Sequence, residues 1–215
     1  MDFSPEIAST GDGSHTLRHP VLGDAYHSLH GAVAESLHIY VRNGFESWPQ
    51  EQARILEAGF GTGLNALLTL HSAEEHHRKV DYTGVELYPV PLGTARQLCY
   101  ASDPHFLSLH EAPWEEWCLI SPGFRLKKRL CDLVNASFDT IFDIVYWDAF
   151  APDTQSELWS ETLFRRVRDQ MAPGGILLTY SAKGDVKRAL RSAGFDVERR
   201  PGAPGKRHMI RATKI

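Results

Sequence analysis

Along most of the chain, short apolar runs alternate with stretches whose apolar residues recur every three or four positions. The runs, rich in branched and aromatic residues, predict strands over 54–58, 82–86, 125–131, 142–147, 175–180, 195–199 and 208–212. The helical periodicity predicts helices over 64–76, 91–100, 156–171 and 185–192. Strand and helix signals that take turns point to an α/β architecture with a mostly parallel sheet. Pro173-Gly174-Gly175 predicts a stop before the fifth strand, and Gly194 the end of the last helix.

Two regions break the alternation. Residues 1–50 carry a strand-like piece over 37–42, closed by Asn43-Gly44, and read as an N-terminal extension packed on a core domain of residues 51–215. At the other end, the last two strands are joined by Pro201-Gly202-Ala203-Pro204-Gly205 with no helix between them. That pair must be a hairpin, so its final strand must be antiparallel. A Rossmann-like sheet ending in an antiparallel hairpin resembles that of class I S-adenosylmethionine-dependent methyltransferases more than a dinucleotide-binding domain.

The 215 residues are 42% apolar and 23% charged, a balance that suits one globular domain and excludes disorder, collagen-like repeats and coiled coil. No apolar run reaches the roughly 18 residues of a membrane helix, and the acidic start Met1-Asp2-Phe3-Ser4-Pro5-Glu6 has no signal-peptide pattern. Cys99, Cys118 and Cys131 are too scattered for a disulfide framework or a zinc knuckle, so reduced thiols and a cytoplasmic location are expected. Charge is uneven. Residues 183–215 hold ten basic residues against three acids, while the first 182 carry a net −11. Such a tail either offers a face to a polyanion or is a solvated helix and hairpin.

The segment Glu57-Ala58-Gly59-Phe60-Gly61-Thr62-Gly63-Leu64-Asn65 runs from an apolar strand into a helix. Its three glycines allow positive φ and leave bare backbone for a ligand. Leu64 stands where a dinucleotide fingerprint has its third glycine, and the spacing instead resembles the loop that holds S-adenosylmethionine. Glu86 closes the next strand, 23 residues after Gly63, where a carboxylate accepts ribose hydroxyl groups in any nucleoside site. Asp132 ends the third strand, either beside an adenine edge or as a plain cap. Glu57 holds the amino group of the methionine moiety or makes a strand-end salt bridge. With Phe60 and Asn65 these residues form the expected cofactor set for S-adenosyl-L-methionine.

A second acid follows the apolar strand 142–147, in Asp148-Ala149-Phe150-Ala151-Pro152. Ligands of open α/β sheets bind outside the carboxyl ends of the strands, which places Asp148 at the reacting centre unless it caps a helix. Phe150, beside Pro152, offers a ring on which a flat base can stack, or is core. Tyr180, ending the fifth strand, lines the same pocket or is core. Lys183, Lys206 and Arg207 are the expected phosphate contacts on the pocket rim.

These motifs, with Leu158-Trp159, Leu178-Thr179-Tyr180-Ser181-Ala182-Lys183-Gly184, Ala193-Gly194-Phe195, Gly205-Lys206-Arg207 and the early Asp24-Ala25-Tyr26-His27-Ser28, Gly31, Glu35 and Ser36, together resemble one family over residues 15–213. It is the MnmD type of tRNA methyltransferase, also found as the N-terminal half of bifunctional MnmC. The resemblance implies methyl transfer from S-adenosylmethionine to the exocyclic amine of 5-aminomethyl-2-thiouridine at the tRNA wobble position, giving 5-methylaminomethyl-2-thiouridine. It implies Asp148 as the active-site acid and Gly59, Gly61 and Gly63 as the cofactor loop. The anticodon stem-loop would be the partner, with no oxidase half and other enzymes supplying the aminomethyl group. Ser156 departs from the pattern, which has proline before the Leu-Trp pair.

Other features suggest no chemistry. His71, His76 and His77 read as a solvated helix end, Trp114 and Trp117 as one face of a helix, and the basic run 125–129 as alternating exposure on a strand near a sheet edge. No metal site is expected, and no apolar stripe calls for a second subunit. The alternatives are a methyl- or aminopropyl-transferase acting on a small amine, a nicotinamide-dependent oxidoreductase, and a non-catalytic RNA-binding module.

Overall fold

The computed structural model describes residues 4–215; Met1-Asp2-Phe3, the first half of the acidic start, lie outside the described residues. Strands β1 (Glu6–Ser9) and β2 (His15–Arg18) pair as an antiparallel hairpin. The other eight are β3 (Gln52–Ala58), β4 (Lys79–Glu86), β5 (Trp117–Ser121), β6 (Phe124–Leu130), β7 (Phe142–Trp147), β8 (Met171–Thr179), β9 (Phe195–Pro201) and β10 (His208–Lys214). They form one sheet in the order β5-β6-β4-β3-β7-β8-β10-β9. The five strands from β6 to β8 are parallel, β5 is antiparallel to β6, and β10 is antiparallel to both β8 and β9. The helix-free end of the chain therefore makes the expected hairpin, with β10 inserted between β8 and β9.

Central strands of a parallel sheet are covered on both faces, which is why β7 is buried at all six positions and reads as a continuous apolar run. Tyr146 and Trp147 point to opposite faces and anchor the two cores. A fully buried aromatic of this kind contributes about 1.5–3 kcal/mol. The α-helices are α1 (Ala32–Ser36), α2 (Leu64–Glu75), α3 (Leu92–Ala95), α4 (Phe106–Glu111), α5 (Glu161–Asp169) and α6 (Gly184–Ser192). Leu64, Leu67 and Leu70 of α2 pack on the Tyr146 face, and Leu163, Phe164, Val186 and Leu190 of α5 and α6 on the Trp147 face.

Several expectations need correction. Leu37–Phe45 is a π-helix, not a strand: Ile39, Tyr40, Val41, Gly44 and Phe45 all go inward, a helical burial pattern that the alternating Ile39 and Val41 disguise. Gly44 lets this helix lie close to the sheet, since a Cβ there would stand 3.1 Å from the Tyr146 ring and 3.2 Å from Leu178. The helix expected over 91–100 is only α3 followed by a 3₁₀ turn at Cys99–Ser102. The one expected over 156–171 is a 3₁₀ turn at Ser156–Trp159, then α5, whose Ser160 cap accepts the Leu163 N–H. Met171, Pro173 and Gly175 belong to the irregular start of β8.

Trp114 and Trp117 do not share a helix face. Trp117 begins edge strand β5, and Trp114 bridges to Lys128. In the basic run Lys128 is buried, donating to the His110 carbonyl at 2.6 Å with its ammonium 4.8 Å from the Trp114 ring centre. Burial pushes that ammonium down to about 8. His71 Nε2 lies 2.9 Å from the Asp103 carboxylate rather than being simply solvated. No cluster of three or more metal-ligating side chains occurs among the described residues, and no helix among them is long and apolar enough to cross a membrane.

Candidate active site

A cavity of about 400 Å³ opens at the carboxyl ends of the central strands. Strand β3 runs into the glycine-rich turn, which is tied to the end of β4 because Gly59 and Phe60 both donate their N–H to the Val85 carbonyl, at 3.1 and 2.9 Å. Gly59 has φ +91° and Gly61 φ +50°, values that L side chains avoid. Space is short as well: a Cβ would stand 2.9 Å from the Asp148 carbonyl oxygen at Gly59, and 2.9 Å from the Tyr26 ring at Gly61. Gly63 (φ +73°) caps α2 just below the cavity.

Asn65, on the first turn of α2, joins two acids. Its Nδ2 donates to Glu57 Oε1 and to Asp148 Oδ2, both at 2.8 Å. Tyr40 in the π-helix donates its hydroxyl to Asp148 Oδ1 at 2.7 Å, so each Asp148 oxygen has one fixed donor. Burial raises the Asp148 carboxyl to about 7, and the Glu35 carboxylate adds to the rise, while the Tyr40 and Asn65 hydrogen bonds oppose it. Burial also pushes the Glu57 and Glu86 carboxyls up.

Glu86 lines the cavity with both oxygens on main chain: Oε2 accepts from Gly61 and Oε1 from Leu87 and Tyr88, each at 2.9 Å. Asp132 also lines it, but caps a turn rather than a helix, accepting from Val134 N–H at 2.9 Å and Asn135 Nδ2 at 3.2 Å. Glu57 lies beneath the cavity wall and makes no salt bridge among the described residues. Phe150 lines the opposite side, edge-on to Tyr26 and His19 at 5.0 and 5.3 Å between ring centres. Tyr180 donates to the Ala149 carbonyl at 2.9 Å.

Lys206 turns inward, its Nζ 2.6 Å from Glu35 Oε1 and 4.1 Å from the centre of the Tyr180 ring. The remaining rim residues are not brought together. Lys183 pairs with Asp153, Arg207 is exposed, and neither they nor Pro152 line the cavity.

Seven cavity-lining residues, among them Tyr26, His27 and Glu35, come from the first 50 residues, and Tyr40 reaches the site from behind through Asp148. Local spacing gives no signal for Tyr40, which sits in a segment that reads as a strand. Tyr26, His27 and Glu35 stand out only as parts of the opening motif.

The residues present fit S-adenosylmethionine. The glycine turn is a cradle that side chains would fill, and Glu86 ends β4 while Asp132 follows the end of its sheet neighbour β6. Asn65, which lines the cavity, keeps its buried Oδ1 without a hydrogen-bond partner among the described residues, an orphaned polar atom next to the glycine turn.

Comparison with known proteins agrees with this geometry. The profile of an S-adenosyl-L-methionine-dependent methyltransferase family matches residues 119–215. The tRNA 5-methylaminomethyl-2-thiouridine biosynthesis bifunctional protein MnmC of Cupriavidus metallidurans is 33% identical over 209 residues, covering 88% of this chain and 31% of its own length. Its counterpart in Azoarcus sp. is 32% identical, with 88% and 32% covered. The chain thus spans about a third of the length of the curated relatives it matches. The crystal structure of MNMC2 from Aquifex aeolicus superposes with a TM-score of 0.76 at 28% identity, covering 98% of this chain and 70% of that one. An S-adenosylmethionine-bound amino pentose methyltransferase from Micromonospora echinospora (TM-score 0.53, 17% identity, 90% and 93% covered) shares the fold. The chain therefore has the class I methyltransferase fold, and in fold, glycine turn and sequence it is similar to S-adenosyl-L-methionine-dependent methyltransferases of the MnmD-like kind.

Proposed function

We propose that the protein methylates the exocyclic amine of 5-aminomethyl-(2-thio)uridine at the wobble position of tRNA, giving the 5-methylaminomethyl product. Residues 51–215 would form the catalytic domain, and residues 1–50 an extension that completes its cavity. One observation carries the reading: a carboxylate raised to about 7 is fixed by two donors beside the glycine turn and opposite an aromatic wall. The relatives' names, which specify biosynthesis of 5-methylaminomethyl-2-thiouridine, supply the substrate class.

Bound, the cofactor supplies an electrophilic sulfonium methyl, whose C–S bond breaks as the N–C bond forms. The protein's task is to present a lone pair. An alkylammonium gives one proton to the Asp148 carboxylate, which burial has made basic enough to take it, and the neutral amine is held toward the glycine turn. Tyr40 and Asn65 fix the carboxylate plane, so the hydrogen bond that Asp148 keeps with the nitrogen also sets its direction. Gly59, Phe60, Gly61, Asn65, Glu86 and Asp132 would hold the cofactor, with Glu57 and Gly63 supporting them from behind the cavity wall. Phe150 would stack the splayed base beside Tyr180, while Pro152, Lys183 and Arg207 stay outside the cavity, the two basic residues for phosphates.

The test is transfer of labelled methyl from S-adenosylmethionine to tRNA from cells lacking the aminomethyl methyltransferase, followed by nucleoside analysis. Label in 5-methylaminomethyl-2-thiouridine is the expected result. Cofactor binding without tRNA label would overturn the substrate and direct attention to small amines.

A further inference from the structure

Three segments distant in sequence meet at the Asp148 end of the cavity: residues 24–40, the end of β7, and the turn between β9 and β10. Lys206, from that turn, is held by the Glu35 carboxylate at 2.6 Å and lies over the face of Tyr180. Glu35 is 8% exposed at its side chain, and its second oxygen accepts the Ser28 N–H at 2.7 Å. The turn has little room to move, because Gly205 packs against the His30 ring so closely that a Cβ there would overlap it. The pair is therefore a fixed element of the cavity wall, with Glu35 buried and the Lys206 side chain 32% exposed.

Its neighbours explain what it does. Two carboxylates line this end, Asp148 and Glu35, with Asp24 further out where it accepts from Thr154. Glu57 and Glu86 lie on the glycine-turn side. His27 is neutral, since burial lowers it to about 4, and burial likewise keeps the Tyr40 and Tyr180 hydroxyls protonated. Among the described residues that line the cavity, Lys206 is thus the one lysine or arginine facing this cluster of acids. A primary amine that met both Glu35 and Asp148 as free carboxylates would be held as an ammonium and could not react.

We propose that the Glu35–Lys206 ion pair is a positioning device for charge: Lys206 cancels Glu35, so the substrate ammonium meets Asp148 as its one unpaired carboxylate and can give up its proton there. The idea rests on methyl transfer to an amine. A nearby ammonium lowers an amine's proton affinity, and an unpaired carboxylate raises it, so removing either partner alone moves the balance in opposite directions. Removing both restores it.

The experiment is the pH profile of the single-turnover rate at saturating substrate, which reports ionisations in the bound complex. The substrate is tRNA carrying 5-aminomethyl-2-thiouridine. Lys206→Met is expected to move the acid limb up by about one pH unit and to slow the reaction about tenfold at pH 7. Glu35→Gln should move the limb down, Lys206→Arg should stay within a few tenths of the wild-type limb, and the double variant should return to it. Cofactor affinity within about threefold certifies each variant as folded; Lys206→Gln replaces Lys206→Met if the latter fails that check. An unmoved limb in the Lys206 variant, or a double variant that merely compounds the losses of the singles, would reduce the pair to a mechanical clamp and overturn the proposal. Wild-type protein that binds cofactor but leaves the tRNA amine unmethylated fails earlier, and takes the pair's role with it.

Discussion

The glycine-rich half of the cavity comes from one contiguous stretch, residues 57–65, together with the strand end Glu86. The Asp148 half is assembled from pieces far apart: Tyr40 reaches Asp148 across 108 positions, and Lys206 reaches Glu35 across 171. The first half has its geometry written into local backbone, through positive φ and crowding at Gly59 and Gly61. The second exists only once the π-helix, the sheet and the last hairpin have packed. A local turn can bind a common cofactor in many proteins, whereas a substrate pocket built from long-range contacts is particular to one fold and can be retuned by single side chains. The two halves touch through Asn65, which bonds an acid on either side.

Asp148→Asn separates the halves most strongly. Methyl transfer should fall at least about 100-fold, because the proton acceptor is lost, while cofactor affinity stays within about threefold. Isothermal titration beside single-turnover rates decides it. A comparable loss of cofactor binding would mean that Asp148 belongs to the glycine-rich half and the division is wrong. In wild-type protein the same carboxyl, at about 7, requires the rate to fall as pH drops below 7, since the protonated form cannot accept.

The converse substitution is Gly61→Ala. Its φ of +50° costs an alanine about 1–2 kcal/mol, and the new Cβ meets the Tyr26 ring. We expect cofactor affinity to weaken about tenfold, with the rate at saturating cofactor little changed. A large fall in that saturated rate, measured with affinity intact, would show that Tyr26 passes the distortion across to the Asp148 side.

What the sequence made legible follows the same division. The central strands announce themselves because burial on both faces demands continuous apolar runs, and the glycine turn and the segment 148–152 are contiguous. The final hairpin could be foreseen because five turn residues leave no room for a crossover helix. Tyr40 could not: Ile39 and Val41 flank it in an alternation that imitates a strand, and its partner is known only after folding. Lys128 sits in a run of charges that reads as solvated, and its burial depends on Trp114 and the His110 carbonyl. Edge strand β5 is half exposed, with Leu119 70% accessible, so it lacks the core signal that marks its neighbours.

Tyr40→Phe sharpens the comparison from within the assembled half. The hydrogen bond lowers the Asp148 pKa, so its loss should raise that pKa, move the acid limb of the rate to higher pH, and slow transfer several-fold at pH 7. Removing one hydrogen bond to a charged group should cost about 1.5–3 kcal/mol of stability where the carboxylate is ionised. Denaturant titration at pH 8 measures it. An unchanged limb would show that Asn65 alone fixes the carboxylate.

The smallest effect is the most direct check on the burial of Asp148. Its carboxyl ionises near 3.8 when exposed in the unfolded chain and at about 7 in the fold. Between those values the unfolded chain has released a proton that the folded protein keeps, so raising the pH favours unfolding. The penalty is absent below pH 4 and complete above pH 7, opposite in sign to that of a salt-bridged aspartate. Asp148→Asn carries no such penalty. Its Tm relative to wild type should therefore rise by a few degrees between pH 5 and pH 8, read by calorimetry, even though the variant loses part of its hydrogen bonding to Tyr40 and Asn65. A constant offset across that range would mean that Asp148 is as well solvated in the fold as in the unfolded chain. The contrast between an assembled, desolvated acid and a merely local turn would then lose its physical basis.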